Sequence, residues 1–134
     1  MSIFTERERQ YIAGQPLARL ATVSREGQPD VAVLAFEFDG NRFAFRHAPG
    51  RRTLRHRNIR QGNTRVAVIV DDLPPGARPG EGKARGVKVH GTAALELSDG
   101  VERLVVTPDE VWSWGIERPA ESGNPAAMRR DRLN

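Results

Sequence analysis

Short segments with the alternating or continuous apolar pattern of β-strands recur along most of this chain, separated by turns that contain glycine. The clearest is the β-branched segment 65–71, which is bounded by Gly62, Asn63 and Asp72. Strands are also predicted at residues 17–23, 31–38, 42–47 and 87–97 and, as one strand or two broken at Pro108, at 103–107 and 110–114. The pattern therefore predicts six or seven mostly antiparallel strands.

Two short helices interrupt these strands. Thr5 and Glu8 match a capping box that begins a helix over residues 6–13, and a basic helix is predicted within residues 51–61. The fold class is then mainly β, a closed or partly closed barrel, because closure removes the edges that short strands would leave exposed. We expect residues 1–116 to form this domain and residues 117–134, which have few apolar anchors, to form a loosely ordered C-terminal tail.

Composition excludes several classes of protein and site. The 134 residues are enough for one domain, and they include no cysteine, which rules out disulfides, Cys-ligated zinc and iron–sulfur clusters. The N-terminal segment is charged where a signal peptide is apolar, and no apolar run approaches the roughly 20 residues of a membrane span. We therefore expect a soluble, cytoplasmic protein that does not bind a membrane.

Side-chain catalysts and metal ligands are not evident in the sequence. The three histidines, His47, His56 and His90, lack the spacing and the neighbouring carboxylates of a metal site, so no metal is predicted. The glycine-rich segment 80–86 has one residue too many for a dinucleotide fingerprint and precedes a strand instead of a helix. No catalytic residue is therefore predicted.

Basic charge is concentrated in one segment. Residues 42–65 contain eight arginines and no acidic residue, so the rest of the chain is net acidic although the whole carries a formal charge of +4. Within it, residues 47–58 begin where a strand ends and a helix starts, a place that favours an anion. Guanidinium groups and a Thr hydroxyl there would bind a phosphate, although a solvated helix face fits the pattern equally well. Nucleic acid is not expected, because interleaved aromatic residues are missing.

The order of these segments resembles the pyridoxamine-5′-phosphate-oxidase-like family, and more narrowly its small actinobacterial members that use the deazaflavin coenzyme F-420. The resemblance covers about Thr5 to Ile116 and rests on the strand at 17–23, the turn at 27–29, the basic helix at 53–59 and the strands at 65–72, 85–91 and 111–115. It implies a split β-barrel that dimerises and binds FMN or F-420 in two clefts at the subunit interface.

The resemblance also implies which residues bind the cofactor. The phosphate contacts would fall on His47, Arg51, Arg52, Thr53, Arg55 and Arg57. Val31 and Val33 would flank the isoalloxazine-like ring. Trp114 would approach the cleft of its own or of the partner subunit, unless it is an aromatic plug that closes the barrel.

The expected function is hydride transfer between F-420 and a small organic substrate, since such a cofactor needs no side-chain nucleophile. The alternatives are an FMN-binding oxidoreductase of the same fold, a non-catalytic flavin or deazaflavin carrier, and a plain phosphorylated-ligand binder. A homodimer is expected because one small barrel has too little wall to enclose a large planar ring. The segments 31–38 and 66–70 are apolar on both faces, which also favours a dimer.

Overall fold

The computed structural model describes residues 2–48, 50–117 and 128–133. It contains two short helices, α1 (Glu6–Ala13) and α2 (Leu54–Arg60). Its strands are β1 (Ala18–Val23), β2 (Pro29–Leu34), β3 (Glu37–Phe38), β4 (Phe43–Arg46), β5 (Arg65–Asp72), β6 (Arg85–Ser98), β7 (Val101–Trp114) and β8 (Met128–Arg132). No helix within these residues is long and apolar enough to cross a membrane.

All strand pairs are antiparallel and belong to one curled sheet. Its order is β2-β1-β5-β6-β7-β4-β3, and β8 pairs with the C-terminal half of β7. The outermost strands β2 and β3 lie at opposite ends of this order, yet only Ala35 and Phe36 separate them along the chain. The sheet must therefore curl until its two ends approach each other, and the predicted split β-barrel is confirmed.

The predicted strand over residues 31–38 differs from the structure because it is divided at Ala35 and Phe36. Its first part forms the edge strand β2 beside β1, whereas Glu37 and Phe38 form β3 beside β4. One apolar run thus serves both ends of the sheet. A continuous strand would keep both parts on the same neighbour and would not bridge the gap between the two ends.

The interior of the sheet is filled by the alternating apolar residues of the long strands. Val66, Val68 and Val70 of β5 are buried, as are the two phenylalanines of β4. Phe43 contacts Phe4, Phe36 and Phe38 in an aromatic cluster at the end where the sheet closes. One face of each long strand therefore packs in the barrel interior, and the other face lies on the outside of the sheet.

The structure resolves the alternatives at Pro108 in favour of one continuous strand. Pro108 pairs with Gly91, and the register of β6 against β7 shifts between His90 and Gly91. A Cβ on Gly91 would lie 2.5 Å from the carbonyl oxygen of Thr107, so only glycine fits there. This bulge lets the strand pass a residue that lacks a backbone N–H.

The C-terminal segment contains a strand that the sequence did not predict. Residues 118–127 of the expected tail lie outside the described residues, but Met128–Arg132 form β8 and pair with Glu110–Trp114 of β7. Arg129 donates to the buried carboxylate of Glu8 in α1, with Nε and Nη2 at 2.9 and 2.7 Å. The expectation of a loose tail is therefore wrong for residues 128–132, because charged side chains anchor them.

Candidate functional site

Helix α2 carries most of the predicted phosphate-binding residues. Thr53 caps it, and the Thr53 hydroxyl accepts from the backbone N–H of His56. The helix packs on the end of β1 through buried Ile59 and through Asn58, whose side-chain amide donates to Thr22. These contacts hold α2 in place. Because the helix has only seven residues, its dipole is short, and its arginines contribute most of the positive charge at this position.

A groove with a volume of about 720 Å³ lies along the outer side of this helix. It is lined by Arg25, Arg52, Thr53, Leu54, Arg57, Arg60 and Gln61. Arg60 pairs with Glu102, but Arg25, Arg52 and Arg57 form no ion pair or side-chain hydrogen bond with any described residue. The groove therefore presents three guanidinium groups available to an anion.

Arg55 does not line this groove and lies close enough to Asp30 of β2 to be affected by its charge. Burial and the neighbouring Arg51 lower the pKa of its guanidinium, and Asp30 of β2 opposes that effect. Its Nε is buried and has no partner among the described residues. Arg51 and Arg52 are exposed as expected, whereas Arg55 is only partly exposed and carries an unused donor beside β2.

His47 and His56 lie against each other below the start of the helix. Their ring centroids are 3.7 Å apart, and the backbone N–H of His47 donates to the carbonyl oxygen of Glu102. His56 is 1% exposed, and burial, His47 and Arg55 lower its pKa to about 4. His47 Nδ1 and His56 Nε2 have no partner among the described residues.

Glu102 is a member of this site that the sequence did not indicate. Its carboxylate lies 4.0 Å from His56 Nε2 and 3.4 Å from Arg60. It reaches the histidines because β4 and β7 are neighbours, with Arg46 opposite Arg103. No local spacing relates Glu102 to His47 or His56, so the sequence contains no signal for their proximity.

The outer face of the sheet is the second part of the candidate site. Val31 and Val33 project from the edge strand β2 and are 66% and 58% exposed. One row across the strands continues from Val33 through Arg19, Ile69, Lys88, Trp112 and Arg130. A second row continues from Val31 through Ala21, Ala67, His90, Glu110 and Arg132. The face is mostly apolar on β2, β1 and β5, apart from Arg19, and becomes aromatic and charged on β6 to β8.

Trp114 lies far from the arginines of α2. Its ring covers Gly86, where a Cβ would lie 2.8 Å from Trp114 Cε2. The backbone N–H of Ala93 in β6 donates to the carbonyl oxygen of Thr64, which follows α2, so this part of β6 lies near the end of the helix. The stretch from Gly86 to Ala93 is about 23 Å long at the usual rise per residue. Within one chain the structure therefore does not bring Trp114 to the arginines of α2.

Sequence comparison relates the chain to one family along most of its length. Residues 4–122 match the family model described as pyridoxamine 5′-phosphate oxidase. The chain is also 35% identical over 131 residues to the 5a,11a-dehydrotetracycline/5a,11a-dehydrooxytetracycline reductase of Streptomyces rimosus, covering 90% of this chain and 89% of that protein. The predicted enzyme class, an oxidoreductase, is confirmed by this relationship.

Solved structures with the same fold have lower sequence identity. An F420 reductase is 22% identical, with a TM-score of 0.60, over 81% of this chain and 98% of that chain. A heme binding protein from Mycobacterium smegmatis is 15% identical, with a TM-score of 0.72, over 95% of this chain, which spans 57% of that protein. The fold and the family match agree, and the chain belongs to the pyridoxamine 5′-phosphate oxidase family.

Proposed function

We propose that this oxidoreductase transfers a hydride between coenzyme F-420 and a small unsaturated organic substrate. The observation that carries the proposal is the position of unpaired arginines next to an exposed apolar strand. Arg52 and Arg57 line the groove beside α2, Arg55 is affected by the charge of Asp30 in β2, and Val31 and Val33 project from the same strand. An anionic group attached to a flat apolar ring fits this combination.

The unused donors in the site support an anionic cofactor. Arg55 Nε is buried without a partner among the described residues, and a bound phosphate would satisfy such a donor. The side chains of Arg51, Arg52 and Arg57 form no bond with a described residue. Charge-assisted hydrogen bonds contribute about 1.5–3 kcal/mol each. Three of them are enough to hold a phosphorylated cofactor without a covalent link.

The protein's part in the reaction is to bind and orient. When F-420 is bound, its reduced ring supplies the hydride. The arginines hold the anionic end, and Val31 and Val33 fix the ring against β2. A shallow depression beside β2, lined by Ala21, Val23 and Ala67 together with Arg65 and His90, would cover part of one face of the ring. Because the cofactor supplies the hydride and the side chains only bind and orient it, the reaction requires no side-chain nucleophile.

The proposed site is completed by a second copy of the chain. Val31 and Val33 are both largely exposed on the edge strand β2, and neighbouring exposed apolar side chains are typical of an interface. Trp114 covers Gly86, about 23 Å along β6 from Ala93 near the end of α2, so a contact of Trp114 with the cofactor would come from the partner. We therefore propose a homodimer with two equivalent sites.

A cofactor titration tests the proposal. The purified protein is titrated separately with F-420 and FMN, and the chromophore spectrum is followed. We expect F-420 to bind more tightly than FMN. Arg52→Ala combined with Arg55→Ala should weaken F-420 binding at least tenfold, or about 1.4 kcal/mol. Arg7→Ala combined with Arg78→Ala removes the same charge elsewhere and should not. Unchanged affinity with an unchanged melting curve would refute the assignment.

Turnover distinguishes an enzyme from a carrier. Reduced F-420 is mixed with protein and 5a,11a-dehydrotetracycline, the substrate class of the Streptomyces rimosus relative. Reoxidation that requires both protein and substrate supports the reductase. Tight binding without turnover across a panel of unsaturated ketones would instead identify a deazaflavin carrier, and preferential FMN binding would identify the flavin enzyme.

A further inference from the structure

The structure contains a second chemical cluster that the proposed hydride transfer does not use. We propose that His47, His56 and Glu102 bind a divalent transition-metal ion of the Zn²⁺ type. One ligand atom from each of the three residues lies within 4.8 Å of the other two. Two imidazole nitrogens and one carboxylate oxygen form a donor set that zinc and its neighbours in the first transition row prefer.

The strongest evidence is an unpartnered nitrogen in a buried side chain. His56 is 1% exposed, and its Nε2 has no hydrogen-bond partner among the described residues. The nearest carboxylate oxygen, in Glu102, is 4.0 Å away, too far for a hydrogen bond. His47 Nδ1 is likewise buried and unpartnered. Buried polar atoms almost always have a partner, so two orphan nitrogens facing one carboxylate indicate a bound species.

Thr53 orients His56 for this role. Its hydroxyl oxygen lies 2.6 Å from His56 Nδ1 and also accepts from the His56 backbone N–H. When Nδ1 carries the proton and donates to Thr53, Nε2 keeps its lone pair and faces Glu102. Histidines that bind metals usually donate their other ring nitrogen to such a partner, which fixes the ring and the tautomer. Thr53 is therefore a positioning residue of the proposed site.

Metal binding requires small movements of exposed or half-buried side chains. Donor atoms on one tetrahedral zinc lie about 3.4 Å apart, so the gap between His56 Nε2 and Glu102 must shorten. The two imidazole rings must also separate from their 3.7 Å stack, and His47 is the half-buried member that moves. Glu102 must give up its exposed ion pair with Arg60, which costs at most about 1 kcal/mol. Buried His56 stays in place.

The surrounding arginines determine which ions are accepted. Arg55 and Arg60 flank the cluster and repel any cation. A hard ion such as Mg²⁺ or Ca²⁺ interacts almost only with oxygen, and here it would find a single carboxylate. Ions with a strong preference for imidazole overcome the repulsion through bonds to nitrogen. We therefore expect Zn²⁺ and Co²⁺ to bind and Mg²⁺ and Ca²⁺ not to bind.

The test is a metal titration of the full, untagged chain without any cofactor, so its result is independent of the proposed function. Calorimetry with Zn²⁺ should show one ion per chain, and Co²⁺ should give visible absorption bands of low-symmetry coordination. Glu102→Gln should weaken Zn²⁺ binding at least tenfold, and His56→Asn should abolish the Co²⁺ bands. His90→Ala is the matched control, because His90 also lies 3.9 Å from a carboxylate, in Glu110, but has no second histidine beside it.

Melting curves keep the test decisive if His56→Asn unfolds. Glu102 is partly exposed, so Glu102→Gln should fold, and Zn²⁺ should raise the melting temperature of the unmodified chain but not of this variant. Thr53→Val should weaken binding about tenfold to a hundredfold, as expected for loss of a residue that orients a ligand. Absence of Zn²⁺ uptake, undiminished binding by Glu102→Gln, or loss of binding in His90→Ala would each overturn the proposal.

Discussion

Removal of the Arg129 side chain should destabilise this protein far more than removal of any exposed arginine. Arg129 donates to both carboxylate oxygens of Glu8, at 2.9 and 2.7 Å, and to the carbonyl oxygen of Ile3 at 3.0 Å. The side chain of Glu8 is completely buried. After Arg129→Ala, the carboxylate keeps only the Ser113 hydroxyl at 2.5 Å and the Thr5 amide at 2.9 Å.

The expected loss is about 3–5 kcal/mol at neutral pH, the usual cost of leaving one partner of a buried ion pair without the other. Urea denaturation gives the free energy of unfolding of the normal chain and the variant. The matched control is Arg132→Ala, in the same strand. The Arg132 side chain is exposed and donates no hydrogen bond to any described residue. Its effect should stay within about 0.5 kcal/mol.

The same ion pair makes the effect depend on pH. Burial raises the pKa of Glu8, but hydrogen bonds from Arg129, Ser113 and Thr5 outweigh it and hold the pKa below its usual range. A lowered folded-state pKa stabilises the fold above pH about 4.5, and this contribution is lost as the pH falls. The difference between the normal chain and Arg129→Ala should therefore shrink in acid. Equal stability of Arg129→Ala and Arg132→Ala at pH 7 would refute the reasoning.

Three shorter predictions concern other parts of the chain. Tyr11 is the single tyrosine, and burial together with its hydrogen bond to Asp72 raises the pKa of its phenol. Absorbance near 295 nm should therefore show that Tyr11 ionises at a higher pH in the folded protein than in urea. The free energy of unfolding should fall as the pH rises above about 10. Val33→Glu should shift light scattering from dimer to monomer. Glu96→Gln on β6, where Glu96 pairs with Arg42 beside β4, should not, and a dimer in both variants contradicts the proposed interface. Gly91→Ala should lower stability by about 1–3 kcal/mol, because its Cβ meets the Thr107 carbonyl, and an unchanged melting temperature would exclude that clash.

The sequence predicted the elements whose signal is local. The helix over residues 6–13 and its capping box match α1 residue for residue, because Thr5 and Glu8 bond each other's backbone within one turn. The central strand predicted over residues 65–71 is confirmed as β5, which is one residue longer. Its β-branched residues and its one buried face are a local pattern that predicts a strand without reference to distant residues. Strands 42–47 and 87–97 are confirmed for the same reason.

Features that depend on distant partners were not predictable in this way. The sequence of β8 has no apolar alternation, and it forms a strand because Arg129 pairs with Glu8 and Arg130 with Glu110. Glu102 joins the two histidines only through the pairing of β4 with β7. The roles of Arg52, Arg55 and Trp114 towards a cofactor stay predictions.

The partnership between Glu8 and Arg129 has a consequence for how the chain folds in the cell. The two residues are 121 positions apart, and a ribosome adds about 5–20 residues per second. Helix α1 therefore waits roughly 6–24 s after its synthesis before its buried carboxylate can be neutralised. During that interval a docked helix would bury the Glu8 carboxylate without Arg129, so the docking of α1 gains its full stability only after β8 has been made.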